Sequence, residues 1–442
     1  NGEARASENQ YLPPVMRYLL FLCCLCSLPL LAQFPTATPE SQGFDPERLQ
    51  RVSDYMQQLV DDGILPNAQT IVLRRGQMIH RGTFGYSDLE QKTPARPDDI
   101  YRIASQTKAL VTVGLMMEFE KGQFLLEDPV SKYIPAFAEM RVLKDHDPDT
   151  KEYTTEPAKR QVTIRDLITH TAGIPYGLPV EGREELAVPF FASLEDESLE
   201  EVANRIAKRP LVHHPGEGWT YGLGIDVAGR ILEVVSGESL ADYLTKYIFQ
   251  PLGMDDSHFY LPQDKHDRLV KLYSKKTADA PLTLHDNETY RNFAVSGAQR
   301  YYSGGAGSVG TIDDYAIFCQ LMLNRGVFDG HRLLSPKTVD FMTRNHIGEH
   351  EVWSRKDKFG LGFMVVTADS RYGDLSTPGA YKWGGMYCSE YTIDPPEELI
   401  LLFYTNVHPI PQYSEIVRKF RILVYQALIE SNVGAAAGAR KR

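Results

Sequence analysis

Ser105 and Lys108 are the two residues whose types and spacing most directly suggest chemistry. Lys108 is the one charged residue within positions 103–117, and this apolar segment ends at a Lys-Gly pair, 121–122, that is typical of a helix end. Ser105 precedes the lysine by one helical turn, so both side chains share one face of the predicted helix. A desolvated lysine can accept the serine proton and leave a nucleophilic alkoxide. The alternative interpretation is a snorkelling lysine beside a capping serine.

Tyr221 stands where a run of turn residues meets an apolar helical pattern. The preceding segment, 215–220, is rich in glycine, and the helix predicted behind the tyrosine ends at Gly237. A tyrosine at such a junction can direct its hydroxyl into a cleft and carry a proton there. A tyrosine that only packs against its neighbours is the alternative.

A third candidate segment is Trp383-Gly384-Gly385-Met386, which comes just before the alternating strand pattern of Ser389–Ile393. Paired glycines beside a strand let a substrate approach the backbone, whose N–H groups can hold an oxyanion. A simple turn between strands would explain the same glycines.

Strand-like patterns occur at both ends of the chain, and helical patterns dominate the middle. The patterns predict a helix behind Asp45-Pro46, a hairpin of Thr70–Arg74 and Met78–Phe84, strands at Gly360–Val366, Ser389–Ile393 and Leu399–Tyr404, and a last helix over Ser414–Ile429. We therefore expect an α+β fold, in which one antiparallel sheet is completed by both chain ends and flanked by helices. The sheet region would cover about 44–102 and 300–430, with a mainly helical region of about 103–300 inserted.

The first 32 residues have the pattern of a leader and a secretory signal peptide. Met16-Arg17 supplies a basic start, and Tyr18–Ala32 is uncharged, rich in leucine and too short to span a membrane comfortably. We expect residues 1–32 to be removed and residues 33–442 to form a single domain. The protein would then be exported, periplasmic or secreted, with no stable membrane span after cleavage. A short N-terminal membrane anchor is the alternative.

Composition and charge exclude several classes of protein. Of 442 residues, 43% are apolar and 24% are charged, which excludes a mainly disordered or multi-span membrane protein. The net charge of −11 argues against nucleic acid as a partner. Only Cys319 and Cys388 lie beyond the signal region, which excludes a disulfide scaffold and a four-cysteine zinc site. The patterns Gly305–Gly310 and His346–His350 lack the elements of a dinucleotide or zinc site, so we expect no cofactor and no metal.

Taken in this order, the three candidate segments resemble the serine β-lactamase and penicillin-binding-protein superfamily, and most closely its β-lactamase-related esterases, the family VIII carboxylesterases. The resemblance is carried by Ile103–Lys108, Leu167–Gly173, Tyr221–Leu223, Ser303–Gly307, Phe359–Gly362 and Trp383–Gly385. It implies one β-lactamase-like catalytic domain over 33–442 and an acyl-serine mechanism. Ser105 would be the nucleophile, Lys108 and Tyr221 the proton-handling pair, and the backbone N–H groups of Ser105 and Met386 the oxyanion hole.

Two departures from the penicillin-active pattern bear on the substrate. Leu223 stands where those relatives carry asparagine, and Trp383-Gly384-Gly385 stands where they carry Lys-Thr-Gly. The loss of these polar groups favours an apolar acyl ester, so we expect a small-molecule ester or amide substrate and carboxylesterase activity. The other functions considered are a β-lactamase, a D-amino-acid peptidase, an acyltransferase and a binding or sensor module without turnover. The oligomeric state and the natural substrate stay open.

Overall fold

An antiparallel sheet of eight strands forms the centre of the fold. The computed structural model describes residue 2 and residues 34–180, 186–190 and 192–433. Apart from Gly2, the predicted leader and signal peptide lies outside these residues. Residues Pro35–Arg442 form one unit.

The strands are numbered in chain order: β1 Asn67–Arg74, β2 Gln77–Asp88, β3 Thr93–Pro94, β4 Tyr101–Arg102, β5 Arg141–His146, β6 Tyr153–Pro157, β7 Tyr273–Ser274, β8 Thr283–Leu284, β9 Val309–Gly310, β10 Val327–Phe328, β11 His331–Arg332, β12 Lys358–Phe359, β13 Met364–Val365, β14 Tyr381–Gly385, β15 Ser389–Asp394 and β16 Leu399–Tyr404. The described α-helices are α1 Pro46–Asp61, α2 Thr107–Glu120, α3 Ile164–Thr169, α4 Leu199–Ile206, α5 Gly224–Ser236, α6 Leu240–Leu244, α7 Gln250–Leu252, α8 Glu288–Asn292, α9 Ile312–Leu323, α10 Pro336–Met342 and α11 Tyr413–Tyr425.

Strands from the two chain ends meet in the middle of this sheet, whose spatial order is β12-β13-β14-β15-β16-β1-β2-β3. β1 pairs with β2 on one side and with β16 on the other, where Gln69 lies opposite Tyr404. Every position of β1 and of β16 is buried, because helices cover both faces of the sheet. The arrangement confirms the predicted α+β fold and the closure of the sheet by both ends of the chain.

Local signals explain the first helix and the hairpin. Asp45 caps α1 by accepting a hydrogen bond from the backbone N–H of Arg48, and Pro46 occupies the first turn. The apolar stripe of α1 is buried against the sheet together with α11. In the hairpin, Arg75 and Gly76 both have positive φ angles, as a tight connection between β1 and β2 requires.

Several predicted boundaries differ from the structure. The α-helix at the candidate nucleophile begins only at Thr107, because Ala104–Gln106 forms a 3-10 turn before it. Of the strand predicted for Gly360–Val366, only β13 is extended, because the chain turns at Gly362, where φ is 83°, and pairs β13 with the preceding strand β12. The Trp-Gly-Gly segment belongs to a strand, β14, rather than to the turn before one.

The helical middle region also contains two small hairpins, β5–β6 and β7–β8. Cys319 and Cys388 are both buried and form no disulfide. Among the described residues, no helix is both long enough and apolar enough to cross a membrane.

Candidate active site

Ser105 lies on the 3-10 turn that leads into α2, and its side chain lines a cavity of about 240 Å³. The backbone before it is strained, since Ala104 has a φ of 46°, a region that residues other than glycine seldom adopt. Thr107 holds the turn in place: its hydroxyl donates to the carbonyl of Ala104 (2.7 Å) and accepts from the N–H of Ser308 (3.1 Å). The serine is thus presented to the cavity at the N-terminal end of a buried helix.

Lys108 is 2% exposed, and its ammonium group donates three hydrogen bonds. The acceptors are the hydroxyl of Ser105 at 3.3 Å, the hydroxyl of Tyr176 at 2.8 Å and the carbonyl of Gly305 at 2.7 Å. All three acceptors are neutral, so no carboxylate among the described residues is hydrogen-bonded to the lysine. The predicted serine–lysine pair is therefore within hydrogen-bond reach, the geometry that a nucleophile and its base require.

Asp226 organises the backbone that receives Lys108. It is fully buried, and its Oδ1 atom accepts from the hydroxyl of Ser303 (2.7 Å) and from the N–H of Gly305 (3.1 Å). Burial raises the pKa of the Asp226 carboxyl, and the positive charge of Lys108 opposes this shift. A Cβ atom at position 305 would overlap the Asp226 carboxylate, so the close approach requires glycine.

Tyr176 belongs to the site, although the sequence did not single it out. Its hydroxyl accepts the 2.8 Å hydrogen bond from Lys108. Burial, with the nearby hydroxyl of Tyr221 and the carboxylate of Asp226, raises the pKa of Tyr176 well above its ordinary value. Arg209 fixes this loop by donating to the carbonyl of Tyr176 at 2.8 Å. The available signal was position alone: the tyrosine directly follows the Leu167–Gly173 segment and a proline.

Tyr221 lines the cavity beside Ser105, but its hydroxyl accepts a hydrogen bond from Nε1 of Trp383 at 3.1 Å rather than from Lys108. The Lys108 ammonium lies over the Tyr221 ring, 4.7 Å from its centre, in a cation–π contact. The rings of Tyr221 and Tyr176 are 5.5 Å apart. Gly222 permits this, since a Cβ atom there would overlap the carbonyl of Ile174 in the loop that carries Tyr176.

His170 packs against Tyr221 on the side of α3, with the ring centres 4.8 Å apart. It is the left-handed residue that ends this helix, with a φ of 60°. Burial lowers the pKa of His170 well below its ordinary value, and the charge of Lys108 lowers it further. A neutral imidazole is therefore the resident form, and it supports the tyrosine ring rather than adding a second positive charge.

The end of β14 forms one wall of the cavity, and Trp383, Gly384, Gly385 and Met386 all line it. A Cβ atom at Gly385 would lie 2.5 Å from the carbonyl oxygen of Ile103, so this strand passes directly against the backbone before Ser105. The structure thus places Met386 and Ser105 on one cavity, as an oxyanion hole made by their N–H groups requires. That role of Met386 stays a prediction.

The mouth of the cavity is aromatic. The indole rings of Trp353 and Trp383 stack with their centres 5.1 Å apart and an angle of 20° between them. Trp353 is half exposed, while Trp383 is buried. Of the two departures noted in the sequence, only Trp383 lines the cavity, because Leu223 is fully buried at the start of α5.

The lining also contains three charged residues, Lys382, Glu390 and Arg421. Asp374 accepts hydrogen bonds from Nζ of Lys382 (2.9 Å) and Nε of Arg421 (2.6 Å), and Arg421 also pairs with Glu390 at 3.3 Å. Burial and the charge of Arg421 lower the pKa of Lys382 to about 8, while burial raises the pKa of Glu390. The cavity therefore joins an aromatic mouth to a polar inner wall.

The structure places the two other sequence patterns in a strand and a loop. The segment 305–310 supplies the carbonyl that accepts from Lys108 and then the strand β9. His346 lies in a loop, where its ring is hydrogen-bonded to the carbonyl of Phe341 at 2.6 Å. Within residues 34–180, 186–190 and 192–433, no three histidine, cysteine or acidic side chains converge on a common point where a metal ion could bind.

Comparison with known proteins gives consistent matches over most of the chain. Residues 52–426 match the profile of a family described as Beta-lactamase. The chain is 29% identical over 375 residues to Esterase EstB from Burkholderia gladioli, covering 80% of this chain and 90% of that protein. It is 31% identical over 305 residues to a lovastatin esterase from Penicillium rubens, covering 68% and 72%. The solved structure of EstCE1, a hydrolase with promiscuous acyltransferase activity, is similar with a TM-score of 0.72 at 27% identity, covering 87% of this chain and 98% of that one.

Proposed function

The chain belongs to the beta-lactamase family of serine hydrolases, and we propose that it cleaves carboxylic esters through an acyl intermediate on Ser105. One observation carries the proposal: the hydroxyl of Ser105 lies 3.3 Å from the buried ammonium of Lys108 and on the wall of a cavity open to a small molecule. A serine without such a partner is a weak nucleophile, and the neighbouring base activates it.

In the proposed reaction, Lys108 in its neutral form takes the proton of Ser105 while the serine oxygen attacks the ester carbonyl carbon. The carbonyl oxygen becomes an oxyanion, which the N–H groups of Ser105 and Met386 stabilise. The carbon–oxygen bond to the alcohol then breaks, and the alcohol leaves with the proton of Ser105, which Lys108 returns through the tyrosine pair. Water attacks the acyl-serine by the reverse path, so the carboxylic acid is released and the serine is restored.

Trp353 and Trp383 support esters with an apolar group as the substrate class. Stacked indole rings at the mouth offer an apolar surface with few polar groups, so an alkyl or aryl part of the substrate would be desolvated there. The similar proteins named as esterases agree with this class. The tryptophan also stands where penicillin-active relatives carry a lysine, which disfavours recognition of a β-lactam carboxylate.

Acyl transfer to an alcohol is the second candidate function. It is favoured by the likeness to EstCE1 and by the aromatic mouth, which could hold an acceptor alcohol in place of water. A binding or sensor module without turnover would form the acyl-serine once and then stop.

We further propose an exported protein, periplasmic or secreted, on the basis of the basic and apolar pattern within residues 16–32.

The test is a time course with p-nitrophenyl butyrate in the presence and absence of a primary alcohol. Linear release of p-nitrophenol over many turnovers supports a hydrolase, and the appearance of a butyrate ester of the alcohol supports a transferase. A single burst of p-nitrophenol equal to the enzyme concentration, with a butyryl group retained on the peptide that contains Ser105, would instead identify the sensor function.

A further inference from the structure

A second cavity, of about 270 Å³, lies beside β4, the strand that leads into the 3-10 turn of Ser105. Its polar lining is basic: Arg102, His266, Lys271 and Arg291 contribute to it. No carboxylate of the described residues lines it, and it shares no lining residue with the candidate active site. This basic cavity is therefore a separate, positively charged site in a chain whose net charge is −11.

Arg102 is the buried centre of the basic cavity, with 3% of its surface exposed. Its hydrogen-bond acceptors are neutral oxygens, among them the carbonyl of Val270 at 2.8 Å and the side chain of Asn406 at 3.4 Å. Its Nε atom is buried and has no hydrogen-bond partner in the described part of the chain. Burial lowers the pKa of Arg102 to about 10, and no carboxylate opposes that shift. The guanidinium is still charged at neutral pH, and a buried charge without a counter-ion is strongly destabilising.

Arg291, on α8, is a second arginine of the basic cavity with an unsatisfied hydrogen-bond donor. Its Nε atom is also buried without a hydrogen-bond partner among the described residues. The backbone carbonyl of Arg291 accepts from the guanidinium of Arg102, so the backbone of Arg291 is held beside Arg102. The field of this pair reaches His285, whose pKa is lowered mainly by burial and additionally by the charges of Arg291 and Arg102.

We propose that the basic cavity binds a small monocarboxylate with a short apolar tail. A guanidinium such as that of Arg291 presents N–H donors that match the two oxygens of a carboxylate, and a bound carboxylate would supply the counter-charge that Arg102 lacks. Much of the remaining lining is apolar and suits an alkyl tail: Leu269, Leu272, Leu284 and Val295. A fully hydrated dianion such as phosphate would lose its water against these side chains without a compensating contact.

The test is thermal unfolding of the full chain with sodium butyrate, at an ionic strength held constant with sodium chloride. Butyrate should raise the melting temperature in a saturable way, acetate should do so less, and inorganic phosphate should have no effect beyond chloride. Arg291→Gln should weaken the apparent affinity for butyrate at least ~10-fold, because a charge-assisted hydrogen bond is lost. The matched control is Arg344→Gln, which removes an exposed guanidinium outside the cavity and should keep the full butyrate effect.

Lys271→Gln is the second variant, since this exposed position can be changed without disturbing the buried arginines. It should also weaken butyrate binding, by less than Arg291→Gln, because its charge is more hydrated. Three results would overturn the proposal: no effect of butyrate on the wild-type protein, an equal effect of phosphate, or an unchanged effect in both Arg291→Gln and Lys271→Gln. The last result would assign the effect to another part of the molecule.

Discussion

The ammonium nitrogen of Lys108 lies 2.8 Å from the hydroxyl oxygen of Tyr176, closer than to the hydroxyl of Ser105 at 3.3 Å. Tyr221 faces the same lysine with its ring, while its hydroxyl accepts from Trp383. We therefore expect different tasks for the two tyrosines. Tyr176 can relay a proton to and from Lys108, and Tyr221 can deliver a proton to a group leaving through the cavity.

This division predicts different responses to the nature of the leaving alcohol. Tyr176→Phe should lower kcat/KM for all esters by a similar factor, about 100-fold or more, because the relay to Lys108 is lost. Tyr221→Phe should lower kcat/KM much more for alkyl esters than for p-nitrophenyl esters, since p-nitrophenolate leaves without protonation. The measurement is kcat/KM for ethyl and p-nitrophenyl butyrate in both variants. If Tyr221→Phe reduces both esters equally, the assignment of Tyr221 to the leaving group is wrong.

Ser105→Ala should abolish ester hydrolysis and leave the fold intact, because the side chain is small and makes one hydrogen bond with Lys108. Intact-mass spectrometry after treatment with a fluorophosphonate should give one adduct on the wild-type protein, on the peptide with Ser105, and none on the variant. Ser41→Ala is the matched control, because Ser41 is an exposed serine in the 3-10 turn Glu40–Gln42, and this variant should react like the wild type. An adduct on a different peptide would remove Ser105 as the nucleophile.

Lys108→Arg distinguishes a base from a mere positive charge. Guanidinium does not give up its proton near neutral pH, so the arginine variant should be as inactive as Lys108→Ala if the lysine accepts the serine proton. The measurement is kcat for p-nitrophenyl butyrate in both variants, with circular dichroism to confirm folding. Substantial activity in Lys108→Arg would show that the positive charge alone suffices and that a different group is the base.

Selectivity between esters and β-lactams should follow Trp383. For the wild type, kcat/KM for p-nitrophenyl butyrate should exceed that for a chromogenic cephalosporin by ~100-fold, or roughly 2.7 kcal/mol of transition-state binding. Trp383→Ala should raise KM for the ester, because the stacked surface with Trp353 is lost. Trp383→Phe keeps an aromatic ring but loses the hydrogen bond to Tyr221. This variant therefore separates the contribution of the aromatic surface from that of the hydrogen bond. Equal kcat/KM values for ester and cephalosporin in the wild type would refute this role of the tryptophan.

Asp314 should make the folded state less stable as the pH rises. This carboxyl on α9 is 7% exposed, and burial raises its pKa from 3.8 to about 7, against the hydrogen bond from Ser257. Between these two values the folded protein binds a proton that the unfolded chain has released, so the contribution of Asp314 to the free energy of unfolding falls as pH increases from about 4 to about 7. Above about pH 7 the contribution of Asp314 to the free energy of unfolding no longer changes with pH.

Urea denaturation at pH 5 and pH 8 measures this effect. The free energy of unfolding of the wild type should fall relative to Asp314→Asn between the two pH values, because asparagine does not titrate. Asp340→Asn, at an exposed carboxylate paired with Arg325, serves as the control and should follow the wild type. Parallel pH dependence in wild type and Asp314→Asn would show that Asp314 does not carry the effect.

The elements that depend on local pattern could be predicted from the sequence. The hairpin β1–β2, the capped helix at Asp45 and the strands β15 and β16 follow from alternation, capping residues and apolar runs. Lys108 could be recognised because a lone charge in an apolar helix is unusual.

Tyr176 and Leu223 illustrate what local pattern could not provide. Tyr176 lies in an irregular loop, and its contact with Lys108 joins residues that are far apart in the chain. The resemblance to penicillin-active relatives predicts a role of Leu223 in substrate selectivity, but this side chain is fully buried at the start of α5 and does not line the cavity. Which side chain faces a cavity depends on how separate elements pack, and the spacing within one segment does not contain that information.

The pairing of β1 with β16 also constrains how the chain acquires its structure during synthesis. The innermost contacts of the sheet join residues that are far apart in the sequence, so closing the intervening loop costs entropy before β1 and β16 can pair. While the ribosome is still elongating the chain, β1 has only β2 as a partner, and its other edge is exposed. The 3-10 turn of Ser105 can contact β14 only after Gly385 has been synthesised, so the active site forms later than the helical region between them is made.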